Sequence, residues 1–524
     1  MSILCYAWEL KGINSIDINH TRSIFLVIRQ AVKFMIPNLL HDLKESTKSV
    51  DLLQTSLIIN NNRIFMTYFG TLINQEKLHH DVLSFIQLSR NELDRVQDLQ
   101  ALIPLEGMKI SDDLDEVLNS VVRGSIFLQL DPHLHEGLIV DISDQKTGHR
   151  DHNDTENEFS VIGPKVGFVE SLEINLTLLR RGLVTEKLTF EELSIGKMSE
   201  TRIVIAYLDG ITNPEYVNTA RQRLSDLDFD IVFESSLLEQ LITDNSNSPF
   251  PLFLSSERLD RIMYSMLNGE VAILCDGSPF VLTGPTSLFS FFVSPEDYYL
   301  PWILGSCFRL IRYFGVAFSI LASSFYVAIL TFHYIVIPRE LLGPIIESRS
   351  NVPFPPVLEV LFLEITIELL REAGSRLPSK VSQTLGIVGG IILGQAAVAA
   401  GLTSNILLII VSLSALASFT TPIFKISNTI RFLRFPLIVL ASLWGGFGIM
   451  IGLMLILGHL LRLKSLGAPY IVPIFPFRSN SFSDSFIRSS FTHLNNRFFT
   501  TRPLSTKRFN AKKNKDIGDD YNNE

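Results

Sequence analysis

The pattern of hydrophobic and polar positions divides the chain in two. Up to about residue 300 the apolar residues come in short runs broken by polar turns; beyond it they come in long runs almost empty of charge. In the first part a helix is predicted over residues 24–44 and a strand over 55–59, closed by the turn Asn60, Asn61, Asn62. Further β-rich runs lie at 125–130, 203–208, 231–234 and 271–275, with helices predicted over 167–181 and 216–227. Asn213 followed by Pro214 marks a helix start, because the Asn side chain accepts from orphan amides and Pro at the first helical position wastes no N–H. Strands alternating with helices predict parallel or mixed sheets covered by helices. The stretch 145–158, rich in Asp, Asn and His, reads as a loop between two lobes.

In the second part, residues 313–337 hold no Asp, Glu, Lys or Arg, which is length enough to cross about 30 Å of hydrocarbon. A second uncharged stretch, 381–424, is divided at Thr403, Ser404 and Asn405 into spans over 381–402 and 405–424, and a fourth span is expected over 435–461. The expected fold class is an α/β two-lobed cytoplasmic N-terminal domain plus a C-terminal α-helical polytopic membrane domain. Its parts are lobe 1 (1–155), lobe 2 (156–305), the membrane domain (306–476) and a basic, disordered cytoplasmic tail (477–524). That tail carries nine Lys or Arg against five Asp or Glu, and basic residues are retained on the cytoplasmic side. Four crossings conflict with one feature. The connection 425–434 has three basic residues and no acidic one, yet would lie on the opposite side from the tail.

The chain as a whole is 47% hydrophobic and 19% charged with a net charge of −9, so a nucleic-acid partner lacks its usual electrostatic attraction. The three cysteines have no zinc-ligand spacing and form no disulfide framework. His133 and His135 alternate as on one strand face, with no third metal ligand in the sequence. No nucleophile, base and orienting group share a motif, so no enzymatic activity and no cofactor are expected.

The candidate chemistry lies at 353–378. On a helix over 356–373, Glu364, Glu368 and Glu372 fall at i, i+4 and i+8 beside Arg371, an acidic stripe on an apolar cylinder. Two readings fit: an interfacial helix with its carboxylates in water, or copies of the chain around an axis whose carboxylates make cation-attracting rings. In the next span Gly386, Gly390 and Gly394 repeat every four residues, as do Gly448 and Gly452 in the last, which suits close helix packing in lipid. Gln395 adds a polar group to the presumed ion pathway.

Several motifs follow one another in a distinctive order: Gly163, Pro164, Gly167 and Glu170 with Arg180; Ser256 to Asp260; Asp276 to Pro279; Ser294 to Tyr299; Pro353 and Pro355; Arg371, Gly374 and Pro378; and Ser465 to Tyr470. In this order they resemble the A subunit of the GerA family of spore germinant receptors, over about 51–476. The resemblance implies a multi-pass subunit of the spore inner membrane that works with a transporter-like B subunit and a lipoprotein C subunit. It further implies a homo-oligomer that forms a nutrient-gated cation channel in the lipid bilayer, the germinant being sensed by the complex. A secondary transporter and a membrane scaffold are the alternative functions. The chain departs from the family pattern at Lys165, Leu259 and Ala399.

Overall fold

The computed structural model describes residues 48–508 apart from 60–61, 90–92, 94, 106, 131–135, 144–157, 159–161, 377–389, 391, 479–481, 483, 492–493 and 498–500. The helix expected over 24–44, the histidines 133 and 135, Pro378, Gly386 and residues 381–389 and 391 of the 381–402 span lie outside the described residues. By contact the chain forms two compact units, one within Met1–Thr147 and Leu183–Thr189, the other within Gly148–Gly182 and Phe190–Glu524.

The first unit is built on strands β1 (Leu52–Ile59), β2 (Asn62–Phe69), β3 (Lys109–Ser111), β4 (Ser125–Gln129) and β5 (Gly137–Asp141), in the order β1-β2-β4-β5-β3. Successive strand residues face opposite sides, and both sides are covered. Ile126 and Leu128 of β4 pack with Val96 and Leu99 of helix α1 (Val96–Leu102), whereas Phe127 packs with Val117 and Val121 of α2 (Leu114–Val121).

The second unit contains a sheet of β6 (Leu188–Ile195), β7 (Thr201–Leu208), β8 (Leu254–Ser256), β9 (Val271–Cys275) and β10 (Val281–Gly284), ordered β6-β7-β9-β10-β8. Helix α3 (Leu172–Gly182) precedes it, and α4 (Pro214–Ser225), α5 (Ser235–Ile242) and α6 (Leu259–Leu267) lie within it. Asn213 caps α4, accepting from the Glu215 amide at 3.0 Å, with Pro214 in the first turn. Tyr216, Val217, Ala220 and Leu224 of α4 then pack with Leu238 and Ile242 of α5 against Ile203, Ile205 and Ile273.

Every described pairing in these two sheets is antiparallel, against the expected parallel or mixed arrangement. The connections explain it: the link between β9 and β10 is a turn of a few residues, far too short for the crossover that parallel neighbours need. The expected strand at 231–234 is not one; Ile231 and Phe233 are exposed beside the β6–β7 turn.

The helical part follows directly. Helix α7 (Trp302–Thr331) leads to α8 (Arg339–Arg349), α9 (Pro356–Ser375), α10 (Asn405–Ser418) and α11 (Phe424–Arg462). Two of them, α7 and α11, are long and apolar enough to cross a membrane. Contacts fix their directions. Helix α7 leaves lobe 2; α9 returns, since Glu359 lies near Ser404 and Glu364 near Ser323; α10 also returns, with Ser404 beside Tyr326 and Ser414 beside Ser319.

The expected span over 435–461 is corrected here. At Gly445 (φ 61°, ψ −136°) α11 reverses, and its arms run antiparallel. A Cβ on Gly452 would stand 2.3 Å from the Leu437 side chain, although a straight helix would hold these residues about 22 Å apart. A Cβ on Gly448 would fall 2.0 Å from the Leu440 carbonyl oxygen. Gly448 and Gly452 lie where the two arms of this hairpin approach each other. The reversal returns the chain to lobe 2, where Ser248 hydrogen-bonds His459 at 3.0 Å and the short strands Lys464–Ser465 and Ala468–Pro469 join its core.

The other end of the hairpin is also at lobe 2. Lys425 pairs with Glu239 of α5, and Thr429 donates to the Pro249 carbonyl. The basic stretch 425–434 therefore starts on the lobe 2 side rather than the far side, which removes the charge conflict of four crossings.

Candidate functional site

The first group of functional interest is the junction where lobe 2 becomes α7. The segment 294–299 makes a short helical turn, Glu296–Tyr299, and its Asp297 is buried. Arg309 of α7, also buried, donates to Asp297 at 3.2 Å and to Asp484 at 3.2 Å; Arg312 donates to Asp297 at 3.1 Å. Arg488 donates to the Leu300 carbonyl at 2.6 Å and Tyr298 donates to Asp484 at 2.6 Å. Burial raises the Asp484 carboxyl, a shift opposed by Arg309, and raises the Tyr298 phenol well above its usual range.

These contacts correct the expectation of a disordered tail beyond residue 477. The segment docks on lobe 2: Arg497 donates to the Leu267 carbonyl, the Leu504 amide to the Ile211 carbonyl and Thr501 to the Asn268 carbonyl. A buried aspartate facing a buried arginine makes detachment costly, because each charge would lose its partner. Residues 509–524 lie outside the described residues.

The second group lies inside the helical bundle. Glu364 of α9 is 1% exposed and accepts from Arg434 of α11 at 2.5 Å and from the Ser323 hydroxyl of α7 at 2.6 Å. Arg434 also donates to Ser319 at 2.7 Å, so one ion pair ties three helices. Glu368 is partly buried and accepts from Arg371 at 2.9 Å, and Arg371 reaches Asn428 at 3.0 Å. Glu372 is exposed and pairs with Arg376 at 2.6 Å. The outward face of α9 is instead apolar, with Leu358, Phe362, Ile365 and Leu369 exposed.

Within one chain the three carboxylates of the stripe do not share one environment. Its carboxylates pass from the bundle interior at Glu364 to open surface at Glu372, and within a single chain the inner one neither meets water nor lines an open path. What Glu364 meets depends on Arg434, which is 70 residues away. Gln395 and Gly390 are exposed, while Gly394 lies against Leu408 of α10.

The family model described as "Bacillus/Clostridium GerA spore germination protein" matches residues 39–499. The chain belongs to the GerA family. Spore germination protein GerQA of Bacillus cereus is 45% identical over 88% of this chain and 92% of its own length. Spore germination protein GerIA of the same species is 42% identical over 85% of this chain and 66% of its own length. The N-terminal domain of the A subunit of the Bacillus megaterium spore germinant receptor GerK3 aligns with 47% of the chain and 92% of that structure, at 27% identity and a TM-score of 0.37.

In this GerA protein the motifs singled out from sequence meet in space. Gly167 bridges Arg258, and the Phe168 amide donates to the Glu257 carbonyl at 2.7 Å. The Val169 amide and carbonyl both engage the Asn175 side chain, the Gly277 amide donates to the Glu170 carbonyl at 2.8 Å, and the Leu172 amide donates to Asp276 at 3.2 Å. Arg180 is buried with its guanidinium over Phe190. Gly163 (φ 123°) lies under the Tyr299 ring, where a Cβ would come within 2.7 Å. Tyr299 donates to Asp260 at 2.7 Å, which with the Arg258 fork outweighs burial and holds the Asp260 carboxyl low. These residues brace lobe 2 against the base of α7. Pro353 and Pro355 lead into α9, and Gly374 lies in its last turn.

Sequence reasoning missed Glu359, Arg434 and Asp484. Glu359 is 0% exposed and accepts from the Ser404 amide at 2.7 Å, at the positive N-terminal end of α10. Its signal was available: a charge inside an apolar stretch is expensive without a partner, so it marks a contact.

Proposed function

We propose that the chain is the A subunit of a spore germinant receptor. Its helical bundle is set in the spore inner membrane in several passes, with lobe 2 and the docked C-terminal segment on one, cytoplasmic, side. The observation that carries this reading is the inverted polarity of the bundle. Phe314, Phe325, Ile365, Leu369, Leu443, Phe447 and Met454 are exposed, whereas Glu359, Glu364 and Arg434 are buried. Water-soluble bundles are built the other way, and in lipid the ionisable groups turn inward to find partners.

Membership in the GerA family supports the germination role, and the names of GerQA and GerIA agree with it. The receptor acts with B and C subunits; copies of this chain join in the bilayer around a cation path, and nutrient sensed by the complex shifts its closed-to-open equilibrium. Glu368 and Glu372, on the less buried end of α9, are the carboxylates placed to face such a path once copies assemble; Glu364 holds the helices together. Catalysis has no part in this role.

The purified chain reconstituted in liposomes should conduct monovalent cations and migrate as an oligomer in mild detergent. Glu368→Gln with Glu372→Gln should lower the current. Solitary protomers that carry no current would refute the channel, and saturable nutrient uptake by this chain alone would replace it with a carrier.

A further inference from the structure

We propose that the docked C-terminal segment is a membrane-surface element: Phe477 and Ile487 enter the lipid headgroup layer beside α7, so the partner of this surface is the bilayer itself. The inference rests on the reading of the bundle as set in a membrane and goes beyond it, because it gives a lipid contact to a part of the chain outside the bundle. It stands whether or not the bundle conducts ions.

Contacts with α7 fix the level of the segment. Residues 313–337 carry no Asp, Glu, Lys or Arg, and Arg309 and Arg312 stand just before them. From Tyr313 to Thr331 the helix rises about 27 Å at about 1.5 Å per residue, close to the roughly 30 Å of hydrocarbon. Tyr313 therefore stands where hydrocarbon gives way to headgroups. Its hydroxyl donates to the Ser485 carbonyl at 2.7 Å, and its ring lies 5.3 Å from that of Phe486. Nearer to lobe 2, Arg309 donates to Asp484 and Ser306 to the Arg488 carbonyl at 3.1 Å. Residues 484–488 thus lie along α7 at this boundary.

What the segment carries here is apolar on its outside. A ladder of rings leads away from α7: Phe486, packed on Tyr313 and 4.9 Å from Phe289, then Phe482 at 5.9 Å, then Phe477 at 5.2 Å. The outer end is uncovered, Phe477 being 74% exposed, and Ile487 next to the inner end is 49% exposed. The charges are turned the other way. Asp297, Arg309, Asp484 and Arg488 are buried, held by one another or by main-chain carbonyls. A segment facing water would carry its charges outside. Rings outside and ionisable groups inside suit the membrane interface, where aromatic side chains gather at headgroup depth.

Lipid is the occupant, rather than another protein, because the uncovered residues continue a surface that already faces lipid. Phe308, Ile311 and Phe314 of α7, which bracket Tyr313, are each more than half exposed. Phe314 stacks on Phe318, with ring centroids 6.2 Å apart, and the exposed face of the helix continues to Phe325. The segment thus widens the greasy face of α7 at one end.

The test places a single tryptophan in the segment. In a full chain carrying Trp8→Phe, Trp302→Phe and Trp444→Phe, either Phe477→Trp or Ile487→Trp is added. The protein is reconstituted in phosphatidylcholine vesicles containing lipid with a nitroxide on the headgroup, near the top of the acyl chain or at its end. A further chain, Trp8→Phe with Trp302→Phe, keeps Trp444, 52% exposed on α11, as the reporter of insertion. Lipid nitroxide should quench Trp444, and the headgroup and upper-chain nitroxides should quench each introduced indole about twofold more than the chain-end one. Quenching of Trp444 but of neither introduced indole would overturn the proposal and leave the membrane reading standing; an unquenched Trp444 would overturn both. Introduced indoles reached by aqueous iodide alone would assign the surface to water, and indoles reached by neither quencher would assign it to a protein partner, each against the proposal. The two positions are read separately, so failure of one variant to fold leaves the other to decide.

Discussion

Replacing Glu364 by Gln isolates the ion pair at the centre of the bundle. The substitution keeps an oxygen for the Ser323 hydroxyl and leaves Arg434 its bond to Ser319, so shape and two hydrogen bonds survive. What is lost is the charge opposite a guanidinium whose Nε already has no partner. Leaving one member of a buried pair uncompensated costs about 3–5 kcal/mol. Arg434→Met alone should cost about as much, because it strands Glu364. Glu364→Leu with Arg434→Met removes both charges and fills the space with apolar atoms, which for buried pairs is neutral or stabilising by about 1–4 kcal/mol. The double variant should therefore be far more stable than the sum of its parts. Unfolding of the unaltered chain, Glu364→Leu, Arg434→Met and the double variant by SDS in mixed micelles, followed by tryptophan fluorescence, yields the coupling. A value of about 2 kcal/mol or more is expected, and additivity within about 0.5 kcal/mol would refute the assignment of this pair as the tie between α7, α9 and α11.

The hairpin in α11 predicts that cysteines at positions 437 and 452 link within one chain, a result a straight helix with about 22 Å between them would forbid. Gly448→Ala should destabilise by about 1–3 kcal/mol or more, whereas Gly446→Ala, whose Cβ meets nothing nearer than 3.6 Å, should cost little; equal effects in thermal unfolding would contradict the fold-back. Glu270, titrating at about 7 against an ordinary 4.5, binds its proton more tightly folded than unfolded. Its share of the stability is therefore greatest below about pH 4.5 and falls as pH rises to about 7, by about 3 kcal/mol, and Glu270→Gln should remove that slope from the pH dependence of unfolding. Asp484→Asn should loosen the C-terminal segment and raise the rate of proteolytic cleavage after residue 477; unchanged protection would mean the segment is held by something other than the Arg309 contact.

What the sequence made legible was local. The strand at 271–275 and the Asn213–Pro214 start of α4 rest on neighbouring residues, and both are found where the pattern predicts them. The reversal at Gly445 was hidden because it falls inside a continuous apolar run with no polar punctuation. The orientation of the Glu364 stripe was hidden for a different reason: periodicity tells which residues share a face, not which distant arginine stands opposite. Likewise the segment after Phe477 has the composition of a solvated tail, yet Asp484, Arg488, Leu494 and Thr501 are buried in it.

Arg309 and Asp484 are 175 residues apart in sequence. A ribosome making this chain releases the guanidinium long before the carboxylate that will answer it, and in the interval Arg309 and Arg312 share Asp297 alone. The start of α7 is thus over-positive until residue 484 has been made. A chain cut before residue 484 keeps that imbalance.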